Sequence, residues 1–177
     1  QLDILKSDTQ LINAYYEKIS DIKLKDQYIS FITTSFDVVI RVDTFIKNII
    51  AKLNKKNNVK VTIEYSQLFS KLVDEYDINN LPIKEMVDLC KTMAANSNPQ
   101  VRSAATNFLC AIYKWIGNDL KLIIKDIKES TLKIIESELE KVEVVVEQKG
   151  KKKISDNNND NNNNNNNKND NGEGVIN

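Results

Sequence analysis

The sequence predicts an all-α protein, an α-solenoid of paired helices followed by a disordered asparagine-rich tail. Three observations carry that prediction. Apolar residues recur at helical spacing from Leu2 to about Glu147. No segment sustains the period-2 alternation of a strand, and no Asn-Gly or Asp-Gly hairpin joins two β-rich runs. A short tripeptide returns at three turns, 37 and 42 residues apart.

Taken in order, the first stripe runs through Leu5, Ile12, Tyr15, Tyr16 and Ile19, and the second through Tyr28, Ile29, Ile32 and Phe36. Val42, Phe45, Ile46, Ile49, Ile50 and Leu53 follow the i, i+3, i+4, i+7 pattern that places every apolar side chain on one helical face. Val61, Tyr65, Leu68, Phe69, Leu72, Val73 and Tyr76 form the next stripe. Ile83, Met86, Val87, Cys90, Met93 and Ala94 form another, and Val101, Ala105, Phe108, Leu109, Ile112 and Ile116 the one after it. Helices are then expected over 119–127 and 130–147, the latter lined by Leu132, Ile135, Leu139, Val142 and Val146. Its β-branched end, Val144-Val145-Val146, is expected to fray.

The boundaries carry their own signals. Asn98-Pro99 sets a capping oxygen before a proline at the first helical position, where the missing N–H costs nothing. Gly117 follows the last stripe residue, as a left-handed C-terminal cap would. Pro82 opens a helix after Asn79-Asn80. Helices this short are marginal alone in water and must be held by their neighbours.

The recurring tripeptide is polar, β-branched, basic: Asp21-Ile22-Lys23, Asn58-Val59-Lys60 and Gln100-Val101-Arg102. A helix-turn-helix unit returning at about 40 residues is the signature of HEAT-type solenoids. It divides the chain into repeats over 1–40, 42–77 and 80–117, each a helix pair.

Composition removes most chemistry. The 177 residues include 25 basic and 25 acidic side chains, no histidine, two cysteines, two prolines and four glycines. Only Gly117 precedes residue 150, too few glycines for a phosphate-cradling loop. Without histidine there is no Ser-His-Asp triad and no His-bearing zinc site. Cys90 and Cys110 lie on apolar faces, as expected of reduced core thiols in a cytoplasmic protein. No signal peptide or membrane-length apolar run is visible. No enzyme, no cofactor and no metal site is expected. The chain opens on Gln1, which reads as a piece of a longer protein, and 13 of its last 23 residues are asparagine. That tract has nothing to bury and is expected to be disordered.

The third repeat then carries a family resemblance. Asn98-Pro99-Gln100-Val101-Arg102-Ser103-Ala104-Ala105, with Phe108-Leu109 and the run from Ala111 through Trp115 and Ile116 to Gly117, resembles the final HEAT repeat of a TOG domain. These are the tubulin-binding arrays of the ch-TOG/mini-spindles microtubule polymerases and of the CLASP proteins. Glu17 to Lys23 resembles the turn of the fourth repeat of such domains, and Lys55 to Lys60 that of the fifth. The helix carrying Glu136-Ser137-Glu138-Leu139-Glu140-Lys141-Val142 is similar to the family's C-terminal helix. The resemblance implies that 1–147 is a partial TOG domain holding three of six repeats, with 148–177 a basic and then asparagine-rich linker. The first-repeat turn, where tubulin-binding members expose a tryptophan, has no counterpart; Trp115 is expected to pack.

In that family the turns inside each repeat line the edge that meets tubulin. Here those turns carry Lys23 and Lys25, then Lys55, Lys56 and Lys60, then Arg102. Acidic tubulin would be steered by such a row. Against this, basic turn residues also form internal ladders with acidic side chains of adjacent repeats, the leading alternative for Arg102 and an even one for Lys23 and Lys60. Lys55 and Lys56, in a polar loop with no stripe to support, are the foremost binding candidates. Tyr15 and Tyr16 are expected in the core. The acidic residues of 119–147 alternate with lysines as a solvated face does. The lysines of 149–153 either meet the acidic microtubule surface or keep a linker soluble.

The resemblance thus implies a binding protein whose partners are αβ-tubulin, microtubules and adjacent TOG repeats. Its setting would be the cytoplasm and cytoskeleton, including the centrosome and spindle pole. A generic HEAT scaffold that binds another protein or peptide is the alternative. Residues 1–148 hold 20 basic and 21 acidic side chains without aromatic–basic interleaving, so neither nucleic acid nor membrane is expected as a partner.

Overall fold

A computed structural model describes residues 10, 14–36, 38, 40–56 and 58–145. Among these, a 3-10 helix over Tyr16–Ser20 precedes α1 (Lys25–Ser35), α2 (Val42–Leu53) and α3 (Val59–Glu75). A second 3-10 helix, Ile78–Asn80, leads to α4 (Ile83–Ala94), α5 (Pro99–Ile116), α6 (Asn118–Ile123) and α7 (Glu129–Leu139). The expected class is the observed one: the described residues contain no strand, only an isolated bridge between Phe36 and Ile40.

The caps form where side-chain oxygens were available. Asn58 Oδ1 accepts from Val61 N at 3.2 Å to start α3, and Asn98 Oδ1 accepts from Gln100 N at 2.8 Å to start α5. Pro99 takes the first helical position, where no N–H is needed. All six stripe residues of α2 are buried, and so are Val61, Tyr65, Leu68, Phe69, Leu72 and Val73 of α3.

Packing follows the repeat. Within the second and third repeats the paired helices touch, α2 on α3 and α4 on α5. Between those repeats α2 meets α4, while α3 lies along α5, giving two helix layers. The Tyr16–Ser20 turn packs on α1 and α3, and α5 also carries α6 and α7. A line of rings crosses the repeats: Tyr16 on Tyr65 at 5.4 Å between centroids, Tyr65 on Phe69 at 6.0 Å, and Phe69 on Phe108 at 6.0 Å.

Ion pairs repeat the same period. Lys25–Glu64, Lys56–Glu17, Lys47–Glu85, Lys114–Asp74 and Lys91–Asp126 each join residues 35 to 40 apart, about one repeat. These pairs form an internal ladder between repeats, but among the described residues it includes none of Arg102, Lys23 and Lys60, the residues for which a ladder is the alternative reading.

Several boundaries differ from the expectation. The helix expected over 119–127 stops at Ile123, after which Ile124 turns inward and is buried. The one expected over 130–147 ends at Leu139. Val144 and Val145 do not fray: Val145 N donates to Lys114 O at 2.8 Å, and Val144 packs against the core beside Gly117. β-Branched residues suit that extended return better than a helix end. Gly117 has positive φ, +57°, but ψ of −136°, so it reverses the chain without the left-handed helical cap. Its N–H still closes α5 on Tyr113 O at 2.8 Å. Tyr16 is buried as expected, whereas Tyr15 is 42% exposed against Phe31. Leu5, Ile12, Val146, the lysines of 149–153 and the asparagine tract lie outside the described residues.

Candidate protein-interaction edge

The turn between the first 3-10 helix and α1, the α2–α3 turn and the α4–α5 turn follow one another along a single edge. Two open clefts lie between them. The first, about 680 Å³, separates the first turn from the second; its charged lining is Lys18, Lys52, Lys55, Lys56, Glu17 and Asp21. The second, about 470 Å³, lies between the second and third turns, with Asn54, Lys55, Thr62, Thr92 and Asn96 around an apolar floor that includes Val59 and Met93. Lys55 belongs to both, which makes the edge continuous.

The first cleft is built on Tyr16. Its ring stacks on Tyr65 at the core side, while Lys52 Nζ stands 4.9 Å and Lys56 Nζ 5.9 Å from its centroid. Cations over a ring face are attracted by its quadrupole. Beneath it, Tyr65 Oη donates to Tyr16 O at 3.0 Å and lies 2.9 Å from Tyr28 Oη. The single Tyr65 proton goes to the carbonyl, so Tyr28 is the donor in the second bond. Burial, then the Glu17 charge, pushes the Tyr16 phenol up to about 12. Lys52 is held below its ordinary value by partial burial and by Lys56, opposed by Glu17.

The sequence-predicted residues divide. Lys55 and Lys56 come together in the first cleft, both exposed, with Lys56 Nζ 3.2 Å from Glu17 Oε1. Lys25 is partly buried and paired with Glu64 of the next repeat, which gives it a structural role. Lys23 and Lys60 are exposed and lie outside both clefts; neither forms an ion pair among the described residues. Among the described residues Arg102 pairs with no carboxylate of a neighbouring repeat. Its Nη1 donates to Asn96 O at 2.9 Å and Ser97 O at 2.7 Å, so it fastens the turn before its own helix. Trp115 is partly buried and its Nε1 donates to Asp74 Oδ1 at 3.2 Å, a packing role.

Lys18 and Lys52 escaped the sequence reading. The i, i+4 spacing of Lys52 and Lys56 was visible, but only the packing of the first turn on the second brings Lys18 to them. Among the described residues no group of three or more His, Cys, Asp or Glu side chains is placed to hold a metal, and no helix is long and apolar enough to cross a membrane. The edge offers ammonium groups, two carboxylates and open grooves, which suits docking of an acidic partner.

Comparison with known proteins agrees with this architecture. The family described as XMAP215/Dis1/CLASP, TOG domain matches residues 6–139. Protein MOR1 of Arabidopsis thaliana is 28% identical over 127 residues, and Protein MOR1 of Oryza sativa subsp. japonica 27% over 127 residues. Centrosomal protein 224 of Dictyostelium discoideum is 24% identical over 131 residues. Each alignment covers 71% of this chain but 6% of the relative, so the chain spans a small part of the proteins it matches. No solved structure matches the chain. On the family match, the helix-pair repeat and the turn edge together, the chain belongs to the XMAP215/Dis1/CLASP TOG-domain family.

Proposed function

We propose that this chain is a tubulin-binding segment of a microtubule polymerase-type protein, acting by binding and not by catalysis. The observation that carries the reading is the clustering of Lys18, Lys52, Lys55 and Lys56 on the turn edge, where four ammonium groups face two carboxylates. Such a patch raises the encounter rate with an acidic surface and fixes the docked orientation. Family membership supplies αβ-tubulin and microtubules as the partner class. Within the parent protein the segment would act beside other TOG repeats to support microtubule plus-end growth and spindle organisation. A cytoskeletal setting fits, and the name of the Dictyostelium relative favours the centrosome. In this reading 1–147 is part of a TOG domain, and 148–177 is a linker whose basic start adds weak attraction to the microtubule surface.

The test is co-migration of the chain with soluble αβ-tubulin by size-exclusion chromatography at low salt, where screening is weakest. A shift that weakens about tenfold or more in a Lys55→Glu/Lys56→Glu variant is expected, each reversal being worth roughly 1 kcal/mol. No shift by the wild-type chain refutes the function. A shift indifferent to both reversals removes these two lysines from the interface.

A further inference from the structure

The basic cleft already holds a carboxylate. Glu17 reaches from the first repeat to Lys56 of the second, 3.2 Å away, and its charge also acts on Lys52. Among the ion pairs that span repeats within the described residues this one is the most open: both side chains are about two-thirds exposed, 65% and 66%. By contrast, Lys25–Glu64 is largely shielded, and Lys114 and Asp74 are about half covered or more, with Trp115 sharing the carboxylate. An exposed pair adds little to stability and exchanges readily with other charges.

Resting on the tubulin-binding reading above, we propose that Glu17 is a built-in competitor for this cleft, occupying the place of a glutamate or aspartate side chain of the partner. The occupant identifies the ligand chemistry: what Lys56 holds in the free chain is a glutamate carboxylate, whose charge Lys52 also feels, so the class that fits is an acidic polypeptide segment. Because Glu17 is tethered in the cleft, its effective concentration is high, and an incoming carboxylate must displace it. The competition lowers affinity for isolated carboxylates. It leaves an advantage to partners that place several acidic groups along Lys18, Lys55 and Lys56 at once, which is a device for specificity.

Binding of a fluorescent polyglutamate peptide, and separately of αβ-tubulin, is measured for the wild-type chain, Glu17→Gln, Lys56→Gln and the double variant at two salt concentrations. Glu17→Gln is expected to tighten binding about threefold, the scale of one exposed ion pair. The gain should vanish in the Lys56→Gln background. A gain of equal size in both backgrounds reflects net charge alone and overturns the proposal, as does unchanged or weaker binding by Glu17→Gln. Tighter binding of a single-stranded oligonucleotide than of polyglutamate overturns the assignment of ligand class. If polyglutamate shows the Lys56-dependent gain while tubulin binds no variant, the competitor stands and the tubulin function falls. If tubulin binds but neither probe shows the gain, the reverse holds.

Discussion

Replacing Tyr65 with phenylalanine deletes a single oxygen, yet two other groups depend on it. Tyr65 Oη donates to Tyr16 O and receives the Tyr28 hydroxyl, and all three residues are at least 95% buried. The substitution orphans one carbonyl and one hydroxyl, at about 1 to 3 kcal/mol per buried group, so a loss of about 2 to 6 kcal/mol is expected. Tyr28→Phe is different. It removes a donor from Tyr65 but leaves the bond to Tyr16 O intact, and should cost about 1 kcal/mol. In the double variant the Tyr28 hydroxyl is no longer present to be orphaned, so the combined loss should fall short of the sum. Urea unfolding followed by far-UV circular dichroism reads all three, provided the slope is unchanged. If Tyr28→Phe proves as costly as Tyr65→Phe, or if the two losses add, the donor order inferred for this chain of hydroxyls is wrong.

Three further outcomes are expected. Phe69→Ala empties the middle of the ring line between Tyr65 and Phe108 and should cost about 3 to 5 kcal/mol by chemical denaturation. Gly117→Ala places a Cβ 3.4 Å from Val144 at a φ of +57°, and should cost about 1 to 3 kcal/mol in the same assay, chiefly as backbone strain. Alkaline pH should destabilise the fold: the Tyr28 phenol is raised from 10.0 to about 12 by burial, so its contribution is complete below pH 10 and is lost as pH climbs toward 12. Thermal melts should therefore begin to fall above pH 10, and a midpoint that rises there contradicts the assignment.

The helical stripes were legible because periodicity records burial directly: the α2 stripe could be read residue by residue, and every member is in the core. Asn58 and Asn98 were equally legible, since a cap depends on local geometry alone. What the sequence concealed lies across repeats. Lys18 joins Lys52 and Lys56 only through the packing of one turn on the next, and Glu17 enters the same cleft from 39 residues away. Arg102 was expected to meet a neighbouring repeat, but the Asn96–Ser97 turn offers two carbonyls closer by. Tyr15 and Tyr16 look alike in a list of apolar positions. The 3-10 turn points one at Tyr65 and leaves the other at the open side of α1.

The extended return of Val144 and Val145 fixes where the array hands its chain onward. α5 begins at the cationic edge, and Val145 is tied to Lys114 near its opposite end. Fifteen residues of helix at 1.5 Å each separate the two points by about 22 Å. The last described residue, Val145, is therefore fixed on the far side of the array from the lysine clefts. A partner docked on the turn edge, as proposed above, would lie about one helix length from the point where Val145 is fixed to Lys114.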